Sequence, residues 1–337
     1  MWLTVGHTKA VGTLERSLSG GRLSHAYLIV GPRHVGKMTL ALDIARAVNC
    51  LGEDPPCGEC GQCARIIAGL QADVRVVGLD GQEGGEPTSR VAIGIGQVRE
   101  VQRESSLKPY EGRCRVFIVE SAEHLSDEAA NGLLKILEEP PDQVMLVLLA
   151  LGSENLLPTI ASRCQRLELR PLPISLVARE LERRGDVDRE QAEEIARLSK
   201  GRLGWAIRAI ASPELLEGRI STLEAIEKVV LGGLEERFAY AASLAGRFRD
   251  GREAVRQEMG LWLEWWRDVL LLKEGVPESV TNRLRIDAMR EMAGGLSSAL
   301  VVEALRAVEE TCEHLDRNVN PRLALENLML AMPRASG

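Results

Sequence analysis

One stretch constrains this chain more than any other: Ser24-His25-Ala26-Tyr27-Leu28-Ile29-Val30-Gly31-Pro32-Arg33-His34-Val35-Gly36-Lys37. An apolar run ends in a glycine-rich loop and a lysine, and apolar residues then recur at helical spacing at Leu40, Ile44, Ala45 and Val48. Strand, loop and helix start is the context in which backbone N–H groups curve around a phosphate, the helix N-terminus adds partial positive charge, and lysine reaches the outer phosphates. Gly31, Gly36, Lys37 and Thr39 are the candidate nucleotide-binding residues. The pattern breaks after the lysine. A phosphate loop of this type places Ser or Thr there to ligate magnesium, and this chain has Met38, whose thioether suits soft metals. Thr39 is not a simple replacement, because one step along a helix turns a side chain by about 100°. Nucleotide binding is compatible with this loop, but hydrolysis is not expected. The alternative is a strand-loop-helix with fortuitous glycines.

A chain of 337 residues predicts two or three domains. Its net charge of −7 and 3% aromatic content argue against a protein that grips nucleic acid by its own field or by base stacking. No apolar run approaches bilayer length and the N-terminus lacks a signal-peptide core, so a cytoplasmic protein with no membrane partner is expected.

The most specific chemical signal is the run Cys50-Leu51-Gly52-Glu53-Asp54-Pro55-Pro56-Cys57-Gly58-Glu59-Cys60-Gly61-Gln62-Cys63. Two overlapping C-x2-C steps and a fourth cysteine are sufficient to wrap a tetrahedral zinc, and four thiolates leave no coordination position for a substrate. A structural zinc on Cys50, Cys57, Cys60 and Cys63 is therefore expected; free thiols are the alternative. Cys114, Cys164 and Cys312 stand alone and are read as small buried hydrophobes.

Apolar runs at 74–79, 115–120, 144–151 and 165–170 alternate with helical patterns at 97–107, 129–139 and around Thr159. With a lead-in helix before Gly20-Gly21, this predicts a doubly wound α/β domain with a parallel sheet, and 144–151 as its central strand. Residues 81–87 form a polar glycine-rich loop. Strand 115–120 ends in Glu120-Ser121, where a phosphate-loop ATPase carries its magnesium-water aspartate and a neighbouring catalytic acid. Beyond Pro171-Leu172-Pro173 only helical patterns follow: a three-helix unit at 176–184, 189–199 and 203–210, then longer helices. Trp262, Trp265 and Trp266 are spaced for a packed helix core rather than a base-stacking platform.

Several separated motifs agree on one family. Ser24 to Leu28, the four-cysteine insertion, Asn131-Gly132-Leu133-Leu134-Lys135-Ile136-Leu137-Glu138-Glu139-Pro140-Pro141, Leu157-Pro158-Thr159-Ile160-Ala161-Ser162-Arg163-Cys164-Gln165 and Asn318 to Glu326 resemble bacterial clamp-loader subunits. These are AAA+ proteins of the DNA polymerase III holoenzyme, and the resemblance is greatest to the delta-prime family. It implies an AAA+ phosphate-loop domain over 1–170 with a zinc module at about 50–63, a helical lid over 171–212 and an all-α collar over 213–337. It further implies a five-subunit ring with gamma/tau motor subunits and a delta subunit. Through that complex the chain would meet the sliding clamp and primer-template DNA. Arg163, by the same resemblance, is an arginine finger reaching the ATP site of a neighbouring subunit.

Departures from the motor pattern are also informative. Met38 removes the magnesium hydroxyl, Glu120-Ser121 lacks the second carboxylate, Ala150-Leu151 replaces polar sensor residues, and Gly204 stands where motor subunits carry a sensing arginine. The expectation is a stator that contributes an arginine and has a defective ATPase site, with ATP or ADP in its own loop in doubt. A hydrolysing gamma/tau-like motor is the alternative.

Overall fold

The computed structural model describes residues 1–79, 92–185, 187–317 and 319–333; the loop expected at 81–87 and Asn318 of the last motif lie outside the described residues. The chain divides into two compact units, Met1–Ile207 and Arg208–Gly337.

The first unit runs α1 (Thr8–Ser19), β1 (Ala26–Val30), α2 (Lys37–Asn49), α3 (Gly61–Ile67), β2 (Val74–Val77), α4 (Ile95–Ser105), β3 (Arg115–Val119), α5 (Asp127–Glu138), β4 (Val144–Ala150), α6 (Pro158–Ala161) and β5 (Gln165–Glu168). It continues into α7 (Ile174–Arg184), α8 (Arg189–Ser199) and α9 (Leu203–Ala211), the last of which crosses the division. The sheet is parallel in the order β2-β3-β4-β1-β5, with Ala26 opposite Leu146 and Tyr27 opposite Gln165. β1 and β4 lie inside it, which is why both are apolar at every position. Alternation along β1 sorts two cores. Ala26, Leu28 and Val30 pack with residues of α4, α5 and α6, while Tyr27 and Ile29 pack with residues of α1, α2 and α3. α5 starts where Ser126 Oγ accepts the Ala129 N–H, with Asp127 and Glu128 in its positive first turn, and stops before Pro140.

Before α1, residues 1–7 are irregular, ending in left-handed Gly6 and His7 (φ 69° and 49°), rather than part of a lead-in helix. Fully buried Asp43 and Arg46 on α2 account for this: Asp43 accepts the N–H groups of Leu3 and Thr4, and Arg46 donates to the Met1 carbonyl. Two more buried polar side chains frame the 110–114 loop. Asp73 accepts the N–H groups of Tyr110, Glu111 and Gly112, and Asn49 accepts those of Arg113 and Cys114. These pairings satisfy irregular backbone that would otherwise be buried without partners.

The second unit is helical: α10 (Glu214–Leu231), α11 (Leu234–Asp250), α12 (Arg252–Lys273), α13 (Ile286–Gly295), α14 (Ser298–Asp316) and α15 (Pro321–Ala331). Trp262, Trp265 and Trp266 are all completely buried in its core, as their spacing predicts. Buried Arg237 on α11 donates to five carbonyls: Val229 and Val230 at the end of α10, and Met329, Met332 and Pro333 at the end of the chain. α15 begins with Asn320 accepting the N–H groups of Arg322 and Leu323, followed by Pro321.

Candidate functional site

β1 delivers the chain to Gly31, whose φ is 154° and whose N–H donates to the Ala150 carbonyl. A Cβ at Gly31 would lie 2.3 Å from the Leu169 carbonyl oxygen, so no other residue fits this start to the loop. α2 begins at Lys37 directly after Gly36, so the expected strand-loop-helix is present.

The loop's carbonyls are engaged by the chain itself. Lys37 Nζ donates to the Gly31 oxygen at 2.6 Å and the Pro32 oxygen at 3.0 Å. His7 donates from Nε2 to the Val35 oxygen at 3.1 Å, and the Gly204 N–H at the start of α9 donates to the His34 oxygen at 2.9 Å. A Cβ on Gly204 would stand 2.8 Å from that same oxygen, inside normal contact. Glycine at 204 therefore lets the third helix after the sheet seat directly on the phosphate loop. His34 holds φ at 63°, a left-handed conformation that costs a residue bearing Cβ about 1–2 kcal/mol.

The residues around the loop that the sequence singles out fall as follows. Met38 packs against the apolar core that includes Tyr27 and Leu40. Thr39 is half-buried, and Glu120 is exposed just beyond β3, with its N–H on the Val77 carbonyl. Ser121 takes a left-handed φ of 56° and starts a tight turn over Ala122–His124. That turn brings in an acid the motif reading missed. Glu123 acts on Lys37 more strongly than Glu120 does, and its Oε2 is shielded from solvent without a hydrogen-bond partner. Burial lowers the Lys37 pKa below its ordinary value, and the charge of Glu123 offsets part of that. Only the turn geometry reveals Glu123, since its spacing matches no acidic-pair pattern.

At the other end of α2, Cys50 is the residue after the last helical turn, and Cys57, Cys60 and Cys63 follow through a loop into α3. Their four sulfurs lie within 4.8 Å of one another, with Cys50 and Cys63 buried. Backbone N–H groups of Gly52 and Cys57 point at Cys50 Sγ, that of Leu51 at Cys60 Sγ and that of Cys60 at Cys57 Sγ. Donors aimed at sulfur favour thiolates, the form that ligates metal. The thiols also conflict with one another. Cys60, although burial raises it, is brought down to about 6 by N–H donors and neighbouring thiols, while burial and adjacent negative sulfur push Cys63 up to about 12. A divalent cation held by all four removes that conflict, so the donor set fits zinc. None of the seven cysteines is in a disulfide. Cys114, Cys164 and Cys312 are half-buried, and burial raises all three thiols, to about 11 for Cys114 and about 12 for Cys164.

Arg163 lies just beyond α6, far in sequence from both clusters. Its guanidinium donates to the Thr159 carbonyl at 3.0 Å and pairs with Glu138 at 2.8 Å, the two side chains being 37% and 50% exposed. Arg163 is therefore part of an ion pair within its own chain.

A parallel sheet in this order, entered through a phosphate loop, interrupted by a four-cysteine insertion and followed by three short helices, defines an AAA+ protein of the clamp-loader class. Residues 6–173 match the family described as DNA polymerase III, delta subunit, and residues 243–333 the family described as its C-terminal part. The chain is 31% identical to the DNA polymerase III subunit delta' of Bacillus subtilis over 95% of its own length and 94% of that protein. It is 28% identical to the gamma/tau subunit of Mycobacterium tuberculosis over 98% of its length, spanning 61% of that longer protein. A crystal structure of a gamma subunit-related protein from Thermotoga maritima covers 97% of the chain at a TM-score of 0.48 and 21% identity. The chain belongs to the delta-prime family of bacterial DNA polymerase III clamp-loader subunits, and so to DNA replication.

Proposed function

We propose that this chain is the stator of its clamp loader. It leaves its own phosphate loop catalytically silent and supplies Arg163 to the ATP site of a neighbouring gamma/tau-type subunit. Residues 171–212 act as lid and 213–337 as collar. The collar joins the chain to motor and delta subunits in a five-membered ring, which opens the sliding clamp and places it on primed DNA in the cytoplasm.

One contrast carries this reading. The loop that would hold a nucleotide lacks a magnesium hydroxyl and has its lysine turned onto the Gly31 and Pro32 carbonyls, whereas Arg163 is half-exposed and uses only two of its five N–H donors in the contacts described. An arginine so placed meets charge developing on a transferred phosphoryl group, an effect worth about 10³–10⁵ in rate in the better measured NTPases. Zinc on Cys50, Cys57, Cys60 and Cys63 is structural, because a closed four-sulfur shell has no position for a reactant.

Similarity to gamma/tau over nearly the whole chain favours a second reading, a hydrolysing motor. Steady-state ATP hydrolysis by the reconstituted loader with clamp and primed DNA separates the two. The stator reading expects no turnover by this chain alone and a loss of at least tenfold in the loader's rate with Arg163→Ala. Turnover by the lone chain, together with a loader indifferent to Arg163→Ala, supports the motor.

A further inference from the structure

We propose that Glu138 is a positioning residue for Arg163, holding the guanidinium in the pose from which it acts on the neighbouring subunit; this rests on the finger reading above. The two residues come from motifs separated in sequence, the end of α5 and the residue just beyond the Ser162 that closes α6. One guanidinium nitrogen is fixed to the Thr159 carbonyl within the same turn, and the second to Glu138 Oε1. Two such contacts on different nitrogens set the plane of the group as well as its place.

Both attachment points are rigid for reasons independent of the pair. Leu137, next to Glu138, is buried in the core between α5 and the sheet; Ile160 is buried in that core, and Cys164, next to Arg163, packs against it. The Leu137 carbonyl is also tied to the His25 ring at 3.2 Å. The pair thus sits on the rim of a packed core, with its backbone held and its charged ends facing water. Nε–H and one N–H on each terminal nitrogen of Arg163 are left for an acceptor outside the chain.

Energetics point to aiming rather than stability or blockade. A half-exposed pair is too weak to anchor the fold and too weak to keep the arginine from a phosphate that offers several charge-assisted bonds. What the pair does remove is the rotameric freedom of a long side chain, whose immobilisation must otherwise be met when the subunits engage. A catalytic group held near its working geometry raises the rate of the step it assists without altering how tightly substrate binds.

The test uses the whole loader, assembled from this chain with its motor and delta subunits, clamp and primed DNA, and compares wild type, Glu138→Ala, Glu138→Gln, Arg163→Ala and the Glu138→Ala/Arg163→Ala pair. The expected result is a roughly three- to tenfold fall in kcat for Glu138→Ala with KM for ATP unchanged. Glu138→Gln, which keeps an acceptor oxygen, should recover part of the loss, and the double variant should be no slower than Arg163→Ala. Thermal unfolding of the isolated Glu138→Ala chain should match wild type, which separates positioning from a structural role. If Arg163→Ala is slow but Glu138→Ala runs at or above the wild-type rate, the positioning role is overturned and the finger stands. If Arg163→Ala itself runs at the wild-type rate, the finger reading has failed.

Discussion

The phosphate loop and the cysteine cluster sit at opposite ends of the same helix, α2, and have met opposite fates. Lys37 opens the helix and Cys50 closes it. The loop has the full strand-loop-helix shape, with Gly31 wedged against Leu169 and Gly36 leading into the helix, yet a packing methionine follows its lysine and a serine follows the carboxylate at the end of β3. The cluster keeps all four sulfurs. The difference lies in what holds each site together. The loop's path is dictated by β1, β4 and α2, which the sheet needs with or without a nucleotide, so its chemistry is free to change while its outline stays. The loop from Cys50 to Cys63 has no sheet of its own, and its form rests on four sulfurs gathered within 4.8 Å of one another, a donor set that fits zinc.

The strongest way to break this comparison is at the cluster. Cys60→Ser should drop bound zinc from about one equivalent to near zero by metal analysis and open 50–67 to limited proteolysis, since structural zinc is worth about 10–16 kcal/mol in apparent binding energy in small zinc modules. Next in size is Asp73→Asn, which removes the charged partner of three N–H groups in the loop whose Glu111 pairs with Arg65 on α3. It should cost about 2–4 kcal/mol in denaturant unfolding. Burial by itself would raise this carboxyl. The N–H donors of Glu111, Tyr110 and Gly112, with Arg115, outweigh burial and hold its pKa below the ordinary value. Its contribution is therefore complete above the unfolded carboxylate pKa and disappears as pH falls through the lowered folded one, so wild type and Asp73→Asn should converge in acid.

On the loop side, restoring single parts should not restore the whole. Met38→Thr combined with Ser121→Glu should leave the lone chain without ATP turnover, because neither change turns Lys37 away from the Gly31 and Pro32 carbonyls or supplies a cation at Gly204. Adding Gly204→Arg should lower stability by about 1–3 kcal/mol, as its Cβ meets the His34 carbonyl. The smallest effect belongs to His34→Gly. It relieves a left-handed residue and should stabilise the chain by about 0.5–1 kcal/mol, net of glycine's extra unfolded-state entropy, read as a small rise in Tm.

The loop and cluster were legible in the sequence because both are local. Gly31 to Lys37 and Cys50 to Cys63 carry their spacing with them, and β1 and β4 show their burial on both faces in unbroken apolar runs. Glu123, Glu138 and His7 were not legible. Each acquires its role from a partner brought in by tertiary structure: Lys37 for Glu123 across a tight turn, Arg163 from another motif for Glu138, and Val35 of the phosphate loop for His7 of the N-terminal segment. Residues 1–7 were expected to belong to a helix, but the buried pair Asp43 and Arg46 offers their backbone better partners than a helical turn would. Gly204 was noticed only as a missing arginine, because the carbonyl its N–H meets lies in a distant loop.

Arg237 makes the chain's end part of the second unit's interior. Three of the five carbonyls it donates to belong to Met329, Met332 and Pro333, so a stop codon placed before them leaves a full positive charge in an apolar interior without those acceptors. For anyone engineering this protein, the closing residues are a plug to be kept. Shortening that removes Met329, Met332 or Pro333 is to be avoided.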